Sequence, residues 1–164
     1  MNRTPRHLLI EIRSNVRRGV PSNLRLSKWA RAAAGSRGRN AEVALRVVGA
    51  AEGRRLNLLW RGRDYPTNVL SFPAPSGTRG GRAARSLGDI VICAPIVVRE
   101  ARQQDKDVDH HWAHLVVHGV LHLLGYDHER EHDAERMERR ERRVLAEFGI
   151  PDPYRIPHSV SESR

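Results

Sequence analysis

The spacing of apolar and polar residues along the chain predicts four strands and five helices. Residues 42–48 show the strand pattern most clearly, because Val43, Leu45 and Val47 alternate with the other positions, as in a strand with one buried face. Strands are predicted at residues 7–13, 42–48, 68–73 and 88–94. Helices are predicted at residues 22–34, 50–60, 95–104, 108–124 and 129–148.

These elements predict one small α+β domain. The chain has 164 residues, a length that suits a single domain with one core. We expect a four-stranded mixed sheet packed with about five helices over residues 1–150, with a Gly- and Arg-rich mobile loop at 74–86. A flexible tail is predicted at residues 151–164. Helix 108–124 is the most apolar of the five.

Charge is unevenly distributed along the chain. The full sequence carries +10; residues 1–107 hold 21 basic and 8 acidic residues, and residues 108–164 hold 8 basic and 11 acidic residues. A basic surface concentrates polyanions and speeds encounter with them, which favours a nucleic-acid partner. Charge alone leaves a second interpretation open, namely an Arg-rich but ordinary protein surface.

Three further features bear on the cellular setting. Cys93 is the one cysteine, so no intrachain disulfide is possible, and its apolar neighbours predict a buried structural thiol. No apolar run approaches the roughly 20 residues of a membrane span, and the apolar run near the N-terminus is too short for a signal peptide. We therefore expect a cytoplasmic protein with no membrane partner.

Three histidines in the string HGVLHLLGYDH predict a metal site. His118 and His122 are four residues apart, which places both rings on one helix face. Gly125 ends the helix, and His128 follows three residues later, able to supply a third nitrogen. This spacing is that of metzincin zinc sites. Three neutral imidazoles favour zinc among common metals, although copper, nickel or cobalt could also bind in vitro, and they leave a fourth position open for water. We predict one Zn²⁺ per chain, at the C-terminal end of the apolar helix.

Two neighbouring residues have open roles. His114 lies one turn before His118 on the same face, where it could support the site or face the substrate, although a structural histidine is the more common case. Asp127 could orient a ligand imidazole, as carboxylates often do, or could simply cap the next helix.

The residue after His118 argues against peptidase chemistry. Metzincins carry a Glu there that deprotonates the zinc-bound water, whereas this chain has Gly119. Zinc alone can still lower the pKa of its water to about 7. Phosphodiester cleavage also needs cations that neutralise developing charge, and arginines are abundant here. The sequence therefore favours phosphodiester cleavage.

In three blocks the chain resembles the YbeY endoribonucleases of bacterial ribosomal RNA maturation. The blocks are HGVLHLLGYDH at 118–128, LNLLWRG with PTNVLSFP within 56–73, and LGDIVIC at 87–93. Together with the order of the predicted elements, the resemblance covers about residues 7–150. It implies an α+β fold with zinc at the mouth of a positively charged cleft.

The resemblance also assigns roles to individual residues. It implies His118, His122 and His128 as zinc ligands, with His118 counted among the catalytic residues. It implies Arg61 as the catalytic or phosphate-contacting arginine, a residue that otherwise reads as surface charge. It further places near the cleft three residues that otherwise read as an ordinary turn and strand: Thr67, Asn68 and Ser71.

The activity implied by the resemblance is zinc-dependent, single-strand-specific cleavage of ribosomal RNA, in maturation of the small-subunit (16S) 3′ end and in ribosome quality control. Implied partners are ribosomal RNA, the small ribosomal subunit, one of its proteins and a ribosome-assembly GTPase. Two alternatives stay open: a zinc metallopeptidase, which Gly119 disfavours, and a non-catalytic zinc-stabilised ribosome-assembly factor. The loop 74–86 carries Arg79, Arg82 and Arg85 and is more basic than the family pattern, which bears on substrate range.

Overall fold

Four strands and five helices lie within residues 6–80 and 84–155, the part of the chain that the computed structural model describes. The strands are β1 (Leu9–Ser14), β2 (Ala41–Val48), β3 (Val69–Pro73) and β4 (Arg85–Cys93). The helices are α1 (Asn23–Ala34), α2 (Ala50–Arg61), α3 (Ala94–Gln103), α4 (Val108–Leu123) and α5 (Glu131–Ala146), and a 3₁₀ turn covers Gly35–Gly38. The predicted α+β fold class, with one mixed sheet and five helices, is confirmed.

The four strands form one sheet in the order β1-β2-β4-β3. Strands β1, β2 and β4 are parallel, and the edge strand β3 runs antiparallel to β4. Gly88 makes the close pairing of β3 and β4 possible: its φ is +125°, and a Cβ there would collide with the carbonyl oxygen of Phe72. The pairing of β2 with β4 shifts register between Glu42 and Val43, next to this glycine.

Helices cover both faces of the sheet. The larger core packs one face against α1, α4 and α5, and the side chains of Trp112, Val116 and Leu121 on α4 are completely buried in it. A smaller core lies on the other face beneath α2 and includes Leu56, Leu70 and Val91. Cys93 is buried in this second core, as predicted, and burial raises the pKa of its thiol.

Two segments are more structured than the sequence suggested. Strand β4 begins at Arg85, and Arg79 bridges to it, so the predicted loop 74–86 is shorter than expected; Arg82 lies outside the described residues. The predicted tail 151–164 contacts the domain as far as it is described, because Asp152 accepts a hydrogen bond from Arg142 and the Pro153 carbonyl accepts one from Lys106. Its last nine residues lie outside the described part.

No helix in the described ranges is long and apolar enough to cross a membrane.

Candidate metal centre

Helix α4 and the turn that follows it bring three histidine rings together. The helix is capped at its N-terminus by Asp107, whose side chain accepts a hydrogen bond from the His110 amide, and it ends at Leu123, two residues before Gly125. Gly125 adopts a φ of +98°, a conformation that side chains disfavour, and this reverses the chain towards His128. The deeply buried apolar face of α4 fixes the helix, so its half-buried histidine face is held in place.

The rings of His118, His122 and His128 form a triangle. Their centroids are 6.5 Å apart for His118 and His122, 5.6 Å for His118 and His128, and 5.9 Å for His122 and His128. With Zn–N bonds of about 2.0–2.1 Å, three imidazoles on one tetrahedral ion would have centroids roughly 5–6 Å apart. Two of these distances lie within that range, whereas the 6.5 Å between His118 and His122 exceeds it, so binding one ion would require these two rings to move closer together.

The hydrogen bonds of two rings also fit a metal. The Nδ1 atom of His118 lies 2.8 Å from a carboxylate oxygen of Glu141, and the Nδ1 atom of His122 lies 3.1 Å from the Tyr126 carbonyl oxygen. A carbonyl or an ionised carboxylate only accepts, so each Nδ1 carries the proton. Each Nε2 then presents a lone pair, and neither makes a hydrogen bond within the described residues. This is the tautomer that binding of a metal through Nε2 requires.

Glu141 of α5 is the residue that sequence reasoning missed. Its side chain is fully buried, and it accepts hydrogen bonds from His118 Nδ1 at 2.8 Å, His114 Nε2 at 2.7 Å and the Tyr154 hydroxyl at 2.5 Å. Burial alone would raise the pKa of Glu141, but the hydrogen bonds from the two histidines outweigh it and lower this pKa to about 2. The carboxylate is therefore ionised and orients His118.

His114, His118 and Glu141 could themselves hold a metal ion, since one ligand atom from each lies within 4.8 Å of the others. Two observations favour the three-histidine triangle instead. The contacts of Glu141 to both rings are 2.7 and 2.8 Å, which are hydrogen-bond distances, and the Tyr154 hydroxyl already uses the same carboxylate. An ion at Glu141 would have to displace these three donors.

The structure separates the roles left open for His114 and Asp127. His114 contacts Tyr154 and Glu141, the same carboxylate that orients His118. The Nδ1 atom of His114 is buried and has no hydrogen-bond partner in the described part of the chain. Asp127 makes no hydrogen bond to an imidazole within the described ranges: its side chain accepts from the backbone amides of His128 and Glu129, which fixes the turn that carries His128. These backbone hydrogen bonds, foremost the one from Glu129, lower the pKa of Asp127.

Gly119 faces the sheet rather than the histidine triangle. A Cβ at this position would lie 3.0 Å from Cγ2 and 3.1 Å from Cδ1 of Ile90 on β4, closer than side chains normally pack. The glycine thus lets α4 approach β4. A peptidase-type Glu at this position would push into the core instead of reaching the metal.

The remaining predicted site residues lie at the end of α2 and along β3. Arg61 is the exposed last residue of α2, and Thr67 is half-buried in the following loop. Asn68 is engaged within the fold, because its Nδ2 donates to Glu100 and its Oδ1 accepts from the Val69 amide. Ser71 lies opposite Ile90, on the same sheet face as Val69, which packs against the larger core.

Comparisons with known proteins agree with this architecture. The family model for Endoribonuclease YbeY matches residues 15–149. A protein of Alkalilimnicola ehrlichii named Endoribonuclease YbeY is 58% identical over 144 residues, which is 85% of this chain and 86% of that protein. One of Stenotrophomonas maltophilia with the same name is 56% identical over 140 residues, covering 84% and 87%.

A solved structure shows the same fold. The solution structure of TM1509 from Thermotoga maritima superposes with a TM-score of 0.55 at 27% identity, covering 92% of this chain and 99% of that one. The family match spans α1 to α5 and includes the whole histidine triangle. The chain therefore belongs to the YbeY family of endoribonucleases.

Proposed function

We propose that this endoribonuclease uses one zinc ion, held by His118, His122 and His128, to cut single-stranded ribosomal RNA near the 3′ end of the small-subunit (16S) precursor. The observation that carries the metal assignment is the triangle of rings whose Nδ1 protons on His118 and His122 are already bound elsewhere. Ribosome quality control is the proposed wider role. Only the three imidazoles are used as ligands, so a fourth position stays available to water or RNA.

When bound, zinc supplies a Lewis acid and lowers the pKa of a coordinated water. Glu141 holds His118 as a neutral ligand with its Nε2 lone pair directed away from the carboxylate. His122 is held in the same tautomer by the Tyr126 carbonyl. The protein thus keeps the ligand set neutral in charge, and a neutral set leaves the full charge of the ion to act on the phosphodiester.

Arg61 is proposed as the residue that stabilises the transition state. It is exposed and has no ion-pair partner among the described residues, so its guanidinium is free to bind two phosphate oxygens. Thr67 and Ser71 are proposed to line the RNA path, with Asn68 holding the start of β3. His118 acts as a metal ligand at the reacting phosphate.

The proposed setting is the cytoplasm, with the small ribosomal subunit, one of its proteins and a ribosome-assembly GTPase as partners. The peptidase alternative is disfavoured by the packing of Gly119 against Ile90, which leaves no room for the usual glutamate. No observation favours a purely structural role for the metal over a catalytic one.

The test is cleavage of precursor small-subunit RNA by purified zinc-loaded protein, with the product ends mapped. Arg61→Ala should keep fold and metal but cut about 10²–10³-fold more slowly, because one electrostatic contact to the transition state is lost. Arg61→Lys should recover only part of the rate, since lysine offers a point charge without a fork. A folded, zinc-loaded Arg61→Ala protein that cuts at the wild-type rate would remove Arg61 from the mechanism.

A further inference from the structure

Large apolar side chains are exposed together at the C-terminal end of α2. Leu58, Leu59, Trp60 and Tyr65 have exposed fractions of 48%, 65%, 63% and 51%. The other two tryptophans of the chain, Trp29 and Trp112, are buried. Clustered exposure of large apolar groups marks a binding surface more often than chance placement does. We refer to residues 58–65 as the α2 aromatic cluster.

The positive charge around this cluster is only partly neutralised by carboxylates of the protein. Arg54 is paired with Asp64, and Arg55 is paired with Glu52. Arg61, by contrast, has no ion pair among the described residues, and the hydrogen bond found there for the Arg63 guanidinium goes to the uncharged hydroxyl of Tyr65 at 3.1 Å. Two free guanidiniums beside exposed rings favour an anionic partner over an apolar protein surface.

The cluster is held rigid by contacts beneath it. Asn57 is buried, and its side chain donates a hydrogen bond of 2.6 Å to the Tyr65 carbonyl, which folds the 62–66 loop back onto α2. The carboxylate of Asp64 forms two hydrogen bonds with Arg54, at 2.7 and 2.9 Å. The Trp60 ring packs edge-on against Phe72 of β3, with centroids 5.7 Å apart. Little ordering is therefore required when a ligand binds, which favours affinity.

The cluster lies on the opposite side of β3 from helix α4. Phe72 and Leu70 point to the sheet face beneath α2, whereas Val69 packs into the core beneath α4. A strand of RNA that passes the edge strand β3 would thus leave the histidine helix and meet Trp60 next. Arg61 follows Trp60 directly in the chain and is the last residue of α2.

We propose that Trp60 and Tyr65 form a stacking platform for unpaired bases of single-stranded RNA, while Arg61 and Arg63 bind the adjacent phosphates. The proposal rests on the proposed function and specifies how its substrate is bound. Single-strand binders combine a basic groove with aromatic rings on which bases stack, and any base can be accepted because each has a π-face. Bases in a duplex are already stacked on each other, so this platform provides a physical reason for single-strand preference.

The experiment measures binding of a fluorescently labelled 2′-O-methyl oligouridine to the zinc-loaded protein by anisotropy of the label, which needs no tryptophan, with the integrity of the oligonucleotide checked on a gel. Trp60 fluorescence should be quenched on binding, while the buried Trp29 and Trp112 contribute a constant background. Trp60→Ala should weaken binding about 5- to 100-fold, the range for one lost base stack. Trp60→Phe should recover part of this loss, and Tyr65→Leu, which keeps bulk but removes the ring, should also weaken binding.

The matched control is Phe148→Ala, which removes an exposed ring at the far end of α5 and should leave oligouridine affinity unchanged. The slope of affinity against salt should be the same for Trp60→Ala and wild type, because stacking displaces no counterions. Unchanged single-strand affinity in folded Trp60→Ala would overturn the platform and leave the cluster as a docking surface for a protein.

Failure of this proposal and failure of the proposed function give different results. Cleavage of precursor RNA with no effect of Trp60→Ala on oligouridine binding removes the platform and keeps the nuclease assignment. Quenching of Trp60 in the wild type together with loss of affinity in Trp60→Ala, without any precursor cleavage, supports the platform and removes the cleavage assignment.

Discussion

Glu141 ties three parts of the molecule to the metal site through one carboxylate. It lies on α5, it accepts from His114 and His118 on α4, and it accepts from Tyr154 in the C-terminal segment. A buried charge is tolerated only when its hydrogen-bonding capacity is used, and three donors satisfy most of it here. The hydrogen bonds from these donors therefore explain how the ionised side chain of Glu141 can be fully buried.

Replacing Glu141 by Gln should weaken zinc binding about 10- to 100-fold, as losing a carboxylate behind a ligand histidine typically does. The amide can still accept from one histidine but also presents a donor towards the others, so His118 loses its fixed tautomer. Competition with a chelator measures the affinity. Glu135→Gln, an exposed change on the same helix, should leave zinc affinity at the wild-type value. Equal affinities in the Glu141 and Glu135 variants would contradict the role given to Glu141.

The choice between the two possible ligand sets can be tested with two alanine variants. If His118, His122 and His128 bind zinc, His122→Ala should lose the stoichiometric metal, because two imidazoles are left on an exposed surface. His114→Ala should keep one zinc per chain, since the hydrogen bonds of the His114 ring in the described part of the chain go to Glu141 and Tyr154. Metal analysis after gel filtration measures the number of zinc ions per chain in each variant. Zinc lost in His114→Ala but kept in His122→Ala would assign the ion to the group with Glu141.

Some residues of the site could be found from the sequence and some could not. The i,i+4 spacing and the glycine turn bring the histidines together locally, so sequence alone was sufficient to predict their proximity. The contact of Glu141 with His118 spans 23 positions and depends on how α5 packs on α4. The sequence did contain one indication of this contact: Glu141 occupies a position on the apolar stripe of α5, between Met137 and Val144, where a charged residue is unusual.

Among the elements, α3 links the start of β3 to the start of α4 through Glu100. Its carboxylate accepts from Asn68 Nδ2 at 3.1 Å and lies 3.3 Å from His111 Nε2. Burial acts to raise the pKa of Glu100, but the hydrogen bonds from His111 and Asn68 outweigh it and lower this pKa below its ordinary 4.5. The ionised group therefore helps to position both the β3 loop and the histidine helix.

This pKa shift predicts how stability depends on pH. Because the folded-state pKa of Glu100 is lowered, its ionised form stabilises the fold above about pH 4.5, and this contribution is lost as the pH falls further through the folded-state pKa. Glu100→Gln should lower the free energy of unfolding by about 1 kcal/mol near pH 7, or Tm by about 2–4 °C. Thermal unfolding at several pH values measures the difference from wild type.

The difference between Glu100→Gln and wild type should shrink below about pH 4.5, because the wild-type carboxyl is then protonated as well. Glu147→Gln, at an exposed acid just after α5, is the control and should show no such pH dependence. A destabilisation of Glu100→Gln that stays constant down to pH 3 would show that the charge of Glu100 does not stabilise the fold.

Element bounds were predicted to within a few residues, and the differences have local causes. Helix α5 begins at Glu131 instead of residue 129, because Asp127 holds the amides of His128 and Glu129 in a turn. Strand β4 begins three residues before the predicted 88, through pairing of Arg85 with β2 and with Arg79. Pairing with a distant partner leaves no mark in local periodicity, so the sequence pattern could not include these residues.

At the scale of the whole molecule, the order of the strands in the sheet determines where residues from distant parts of the chain lie relative to the proposed site. β3 is placed at one edge, antiparallel beside β4, and β1 lies at the opposite edge. Hydrophobic patterns predict which segments are strands but not which strands pair, so the order was not predictable from them. The order matters for function because it sets Arg61 and Ser71 near one edge of the sheet and Arg13 on the strand at the other.

This arrangement makes the salt dependence of RNA binding a test of where the RNA lies. For single strands, each phosphate contact contributes about 0.7 to the slope of log affinity against log salt. Arg61→Ala should reduce that slope by about 0.7 if Arg61 binds a phosphate. Arg13→Ala removes the same charge from β1, where Arg13 pairs with Glu11, and should leave the slope unchanged.

The comparison of Arg61 and Arg13 separates a localised RNA path from a general effect of net charge. The full chain carries +10, so each variant alters net charge by the same small fraction. If net charge alone attracted RNA, both variants would change affinity equally at low salt, because long-range steering is insensitive to the position of one charge. A smaller slope for Arg61→Ala alone would place the phosphates at the end of α2. Equal slopes for both variants and wild type would exclude a phosphate contact by Arg61 in the bound RNA and, with it, the role proposed for Arg61 beside the stacking platform.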